Sequence, residues 1–357
     1  MSESFYHSGI EWPIVDVTSN KTSSSVTNKL VWINALQKGL IDLYDGRSSS
    51  HVERAKKLVD AMQKQAKKDW RHGYVDFLYE FSCIMAMAST EEALSMASCG
   101  LDALNSSMII KKKSTTEGYE SVSAKDAVLV DGVIPLVPMS TYTVESKDSN
   151  VDLPYTMASP RNPDVKLTGS NIMAQLQAWV DYGCIEPSAQ QRTSVIAQMK
   201  STSELQLNDK VFCLLGATSA LGPIQVLLET IMGSTIMAIA RPGAKLQSLL
   251  ETVQKSSSGT TMYVPQCQSS SSPGADLIQH APEIARWIVQ TSNSHHPTKQ
   301  LVILNLAYLD GEKNVRAGVA MDLITEYVCQ QKSNTAVGYI LSVSNTVNVN
   351  EHKHMYT

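Results

Sequence analysis

Leu215-Gly216-Ala217-Thr218-Ser219-Ala220-Leu221-Gly222 is the stretch whose residue types and spacing point most directly to chemistry. Glycines at such a turn let the main chain approach a pyrophosphate closely, and a helix starting just after it adds unpaired N–H groups and a partial positive charge. An apolar run, Val211–Leu215, leads into the turn, and Pro223 opens an apolar helix. A second apolar run, Ile236–Ala240, ends at Arg241. Strand, turn, helix and strand within about thirty residues form the unit that cradles a dinucleotide.

Other reactive residue types are weaker candidates. Ser219 sits at the bend where a serine nucleophile would stand, but the flanking glycines are wrongly spaced for a nucleophile elbow. A P-loop would need a lysine directly after Gly222, where Pro223 stands instead. His295-His296 reads as a polar loop, and His352 and His354 lie beside Glu351 near the end of the chain. Neither pair has Cys, Asp or Glu partners at ligand spacing, so no metal site is expected. Asp310, Lys313 and Arg316 follow the fourth strand at the ligand-binding edge of such a sheet, though Asp310 also suits a simple Leu-Asp-Gly turn.

Composition narrows the function class. The 357 residues suit two ordinary domains, and 43% apolar content can build real cores. A net charge of −4 argues against a nucleic-acid binder that works by neutralising phosphates. The N-terminal residues lack the basic start and apolar core of a secretory signal. The apolar stretch Phe77–Ala88 is interrupted by Glu80 and is too short to span a bilayer, so no integral membrane segment is expected. Six scattered cysteines without a C-x-x-C suggest free thiols and a reducing, cytoplasmic setting. A small-molecule substrate is expected but not identified, and an oligomer stays open.

The elements that must position the turn follow from periodicity. The first twenty or so residues read as extended, with Trp12, Ile14 and Val17 able to tether them to a core. Helices are expected over Val26–Tyr44, Val52–Trp70, Tyr74–Ala88 and Thr90–Leu104. The second carries a basic, solvated face with Lys56, Lys57, Lys64, Lys67 and Lys68, and Ser89 with Glu92 suits the start of the fourth. Residues 1–110 thus form a helical bundle, and its methionines 85, 87, 96 and 108 read as core filler. Residues 111–205 are a linker with a hairpin around Asp131-Gly132, a long loop over Glu145–Lys166, and helices from Thr168 to Gly183 and over Ser188–Met199. Residues 206–357 alternate regularly. Strands are expected at Val211–Leu215, Ile236–Ala240, Thr261–Val264, Leu301–Leu306 and Val337–Val343. Helices fall between them at Pro223–Met232, Ala244–Gln254, Ala281–Val289 and Val315–Gln331. The expected fold is therefore α/β, with a Rossmann-type parallel sheet in the C-terminal domain preceded by a mostly helical N-terminal domain.

The wording of residues 209–345 resembles the short-chain dehydrogenase/reductase family, over less than half of the chain. The family's T-G-x-x-x-G-x-G turn meets Gly216 and Gly222 at its outer glycines, with Ala220 at the middle one and Leu215 in place of threonine. The resemblance implies that Gly216, Thr218, Ser219, Ala220, Leu221 and Gly222 contact the cofactor. It also places Arg241 where a basic residue favours the 2′-phosphate, so NADP(H) is expected over NAD(H). Leu301–Tyr308 is similar to the family's fourth strand and N-N-A-G, with Asn305 and Ala307 fitting as cofactor contacts. The fifth strand should end in the catalytic serine. Asn345 holds the strict position, with Ser342 and Ser344 beside it. Tyr356 stands near the place of the catalytic tyrosine, and the sequence stops at Thr357 before the lysine of Y-x-x-x-K, so the expectation is either a truncated chain whose sheet lacks its last strands or absent catalytic equipment. Tyr356 as acid/base with Ser344 makes the leading expectation an NADP(H)-binding oxidoreductase-like protein. Ala220, Asn345 and the missing lysine favour the alternative, a non-catalytic dinucleotide-binding sensor or scaffold. A third reading has the turn serve helix–strand packing alone.

Overall fold

The computed structural model describes residues 7–16, 21–22, 24–44, 46–47, 49–66, 70–113, 118–147, 154–205, 207–220, 222–229, 231, 233–268 and 270–339. The N-terminal part runs β1 (His7–Glu11), β2 (Ile14–Asp16), β3 (Lys21–Thr22), α1 (Ser24–Gly39), α2 (Ser50–Lys64), α3 (Trp70–Met87) and α4 (Thr90–Ser107). The middle part holds β4 (Ile109–Lys113), β5 (Tyr119–Ser123), α5 (Ala124–Leu129), β6 (Met139–Glu145), β7 (Met157–Ala158), β8 (Lys166–Leu167), α6 (Gly169–Tyr182) and α7 (Pro187–Ala197). Then follow β9 (Lys210–Leu215), α8 (Ile224–Glu229), β10 (Thr235–Ile239), α9 (Ala244–Lys255), β11 (Thr261–Cys267), α10 (Ala281–His295), β12 (Gln300–Asn305), α11 (Glu312–Gln331) and β13 (Thr335–Tyr339).

A six-stranded, mostly parallel sheet in the order β13-β12-β9-β10-β11-β6 makes this an α/β protein. Only β6 runs antiparallel, along β11. From β9 the chain steps outward to β10 and β11, then returns across the sheet to β12 and β13 on the other side. Strand order therefore reverses beside β9, which opens a crevice at the carboxyl ends of the strands. Both faces of β9 are covered, which is why it reads as an unbroken apolar run. Val211, Cys213 and Leu215 enter one core with α5, α10, α11, Ile10 and Ile110. Phe212 and Leu214 enter the opposite core with α8 and α9. There α9 contributes Leu246, Leu249, Leu250 and Val253 at helical spacing, each stabilising by about 1.5–3 kcal/mol on burial.

The helical N-terminal part forms with shifted boundaries. A third core gathers Leu36, Leu40, Val59, Met62, Trp70, Ile84 and Met96 from α1 to α4 and the turn after α1. Met108 is fully buried but joins the sheet core instead, and Met87 is exposed. The expected basic helix ends at Lys64, and α3 begins at Trp70. Ser89 and Glu92 make the anticipated reciprocal cap on α4. Glu92 also accepts hydrogen bonds from Tyr44 and from His51 Nε2 (3.3 Å), tying the turn after α1 and the start of α2 to α4. Burial alone would raise the Glu92 carboxyl, but bonds from Tyr44, the Ser89 amide, His51 and the Ser89 hydroxyl bring it down to about 2.

Two readings of the middle segment are corrected. The expected hairpin around Asp131-Gly132 is instead helix α5 followed by a turn. Ser123 caps it by accepting the Asp126 amide, and Ala124, Ala127 and Val128 share its buried face at helical spacing. The loop expected over Glu145–Lys166 starts from the end of β6 and is closed at its far end by the short pair β7 and β8. Ahead of it, β6 adds an edge strand that the pattern of Met139–Glu145 conceals, because only Val144 of the seven is buried.

The N-terminal strand is fastened to the sheet half by polar contacts. Ile10 donates its amide to Ile278 O (2.9 Å), and Arg316 Nε donates to Ile10 O (2.7 Å). His7 Nε2 and Glu283 Oε1 meet at 2.7 Å with both side chains buried. Trp12 is buried as expected; Val17 lies outside the described residues.

Candidate functional site

Three carboxyl ends meet at the turn after β9. Leu306 donates to Leu215 O (2.9 Å), while the amides of Gly216 and Ala217 share Ile239 O, each at 3.0 Å. The turn closes through Ser219 N to Gly216 O (2.9 Å) and Gly222 N to Ser219 O (3.0 Å). None of these bonds uses the amide of Thr218 or Ala220. Gly216 has a φ of +99°, and a Cβ there would lie 2.7 Å from Ala307 N and 2.8 Å from Ala307 Cα. The glycine is therefore required by main-chain packing against the loop after β12, before any ligand is considered. Gly274 plays the same part on the far side: its φ is +121°, and a Cβ would lie 2.8 Å from Pro242 N and 2.9 Å from Ala240 O.

These close approaches frame a cleft of about 350 Å³, within the size range of small-molecule sites. Gly216, Thr218, Ser219 and Ala220 form one wall, Arg241 and Lys245 a second, Asp276–Ile278 a third, and Ala307–Leu309 the fourth. A neighbouring hollow of about 500 Å³ shares Thr218–Ala220 and Lys245, and adds Gly222, Gln225, Ser248 and Thr252. The arrangement offers hydroxyls, main chain and two cations to an anionic ligand.

Arg241 projects from the end of β10 with 68% of its side chain exposed, its Nε 3.8 Å from Asp276 Oδ2. Asp276 is held in place because its Oδ1 accepts the amides of Ile278 (2.9 Å) and Gln279 (3.0 Å). An ion pair this open to water is worth about 0–1 kcal/mol, less than a charge-assisted bond to a phosphate, so Asp276 does not withhold the guanidinium.

Of the expected cofactor contacts, Gly216, Thr218, Ser219, Ala220, Arg241 and Ala307 line the cleft, and Gly222 lines the neighbouring hollow. Asn305 does not line either. It is buried at the end of β12 and exchanges hydrogen bonds with Thr325 of α11 at 3.3 and 3.4 Å. Leu221, Ser342, Ser344, Asn345 and Tyr356 lie outside the described residues. Asp310 and Lys313 are not in the cleft lining, and Arg316 is committed to Ile10 O.

Lys245 and Asp276 were missed in sequence. Lys245 could have been found, since it falls four residues after Arg241 in the first turn of the next helix. Asp276 comes from beyond β11 and is brought in only by the Gly274 approach.

Other chemistries find less support. Burial pushes the Cys213 thiol well up, leaving it inert inside the sheet. The six cysteines are free, with Cys184 exposed. Among the described residues no three His, Cys, Asp or Glu side chains are grouped to hold a metal ion, and no helix is long and apolar enough to cross a membrane. No protein-family profile, curated protein or solved structure matches the chain.

Proposed function

We propose that this chain binds NADP(H) at the carboxyl edge of a Rossmann-type sheet and is a short-chain dehydrogenase/reductase-like oxidoreductase. The observation that carries the reading is one cleft, at the reversal of strand order, lined jointly by the glycine turn and by Arg241 and Lys245. The residues fit the phosphate-bearing part of a dinucleotide. Thr218, Ser219 and Ala220 would face the pyrophosphate, and Arg241 with Lys245 the 2′-phosphate. α8 has only six residues, so its dipole adds little, and main-chain amides with the two cations carry the binding. When bound, the cofactor supplies hydride at the nicotinamide C4 for exchange with a carbonyl or alcohol carbon. Tyr356 would hold the transferred proton, with Ser344 orienting the substrate oxygen.

A second reading, a dinucleotide-binding sensor or scaffold without catalysis, is favoured by Asn305, which is spent on Thr325. Calorimetric titration of the chain with NADPH and NADH tests both. NADPH should bind at least about tenfold more tightly, the size of one lost charge-assisted phosphate contact, and Arg241→Ala should erase the preference. No heat with either nucleotide on folded protein would leave the turn with a packing role only. Turnover of carbonyl substrates by the NADPH-binding protein then separates enzyme from sensor.

A further inference from the structure

The helical part holds a second cavity that the dinucleotide reading leaves unused. About 650 Å³ in volume, it lies between the starts of α1 and α3 and the start of α11, lined by Asn28, Trp32, Trp70, Tyr74, Gly311 and Glu312, with hydroxyls from Ser24 and Ser25. Trp32 and Trp70 stand 5.4 Å apart at 77°, one indole edge-on to the other, with Trp70 buried behind Trp32. Each is braced by a phenylalanine of α3. Phe81 lies 5.5 Å from Trp32, and Phe77 lies stacked 5.6 Å from Trp70. Tyr74, 40% exposed, adds a third ring.

Glu312 carries the only formal charge among the described lining residues. Arg316 Nη1 lies 3.9 Å from its Oε1, and the Nε of that guanidinium is already given to Ile10 O. Ring faces are negative, so braced aromatic rings with an adjacent carboxylate attract a cation whose desolvation is cheap. We propose that this cavity binds a small quaternary ammonium compound, with the trimethylammonium group against Trp32 and Tyr74 and its charge facing Glu312. The site stands independently of what the first cleft binds, although both touch the segment after β12: Tyr308 and Leu309 line the cleft, Gly311 and Glu312 the cavity.

Choline and its uncharged isostere 3,3-dimethylbutan-1-ol distinguish charge from shape. Calorimetric titration of the full chain should show saturable choline binding and at least about tenfold weaker binding of the isostere. Glu312→Gln and Tyr74→Ala alter exposed positions, so both proteins should keep the wild-type Tm while choline binding falls several-fold. Equal binding of the two probes, no binding of choline, or choline affinity unmoved in both variants would overturn the proposal.

Discussion

In the helical bundle, the turn after α1, the start of α2 and the start of α4 are joined through ionisable side chains, Tyr44, His51 and Glu92. At the carboxyl edge of the sheet, β9, β10 and β12 are joined through main chain, with Ile239 O and Leu215 O as acceptors and Gly216 pressed against Ala307. The first kind of joint responds to pH. The second is indifferent to pH and tolerates no added carbon. A binding edge made of main chain keeps its geometry regardless of protonation, which suits a ligand held by amide donors.

The harshest way to break this contrast is Gly216→Val. The added side chain meets the Ala307 main chain at a φ that β-branched residues avoid, so a loss of about 3–5 kcal/mol is expected in chemical denaturation. NADPH binding should vanish, and the loss should be the same at pH 5 and pH 8. A strongly pH-dependent loss would blur the distinction.

Glu92→Gln probes the other joint. The folded carboxyl is held at about 2, below its ordinary 4.5, so its stabilisation is present above pH 4.5 and is lost as pH falls towards 2. At pH 7 the variant should be destabilised by on the order of 2 kcal/mol, with the gap closing across that window in denaturation curves.

Asp322 of α11 sharpens the comparison with the opposite sign. Burial raises its carboxyl to about 6, with the nearby Glu326 adding to the rise and a hydrogen bond with Tyr339 opposing it. Its folded value exceeds the ordinary 3.8, so the folded state binds the extra proton and stability falls as pH rises from 3.8 through 6. Asp322→Asn should therefore raise Tm at pH 8, a gain of about 1–3 kcal/mol, with little change at pH 3. A lower Tm at pH 8 would show that the charged form is compensated by another partner.

Sequence patterning located most elements of residues 210–339, because strands buried on both faces read as short apolar runs between amphipathic helices. Ser89 with Glu92 and Gly183 at the left-handed end of α6 were equally legible, since caps are written in local residue types. The α5 segment was not. Val-rich wording suggested strands, while burial of Ala124, Ala127 and Val128 against α10 and α11 selected a helix. Asn305 was expected as a cofactor contact because Leu301–Tyr308 resembles the family's fourth strand and N-N-A-G, yet its side chain turns into α11, a choice made by Thr325 twenty residues away.

By itself, then, the amino-acid sequence determined the α/β alternation, the glycine turn and the placement of Arg241 at the end of a strand. Each rests on periodicity or on a residue's own backbone freedom. Tertiary structure alone decided that β6 closes the sheet edge, that Lys245 and Asp276 share the cleft with the turn, and that α1, α3 and α11 enclose an aromatic cavity. Those arrangements depend on contacts between segments far apart in the chain, where packing and main-chain approach outweigh any local signal.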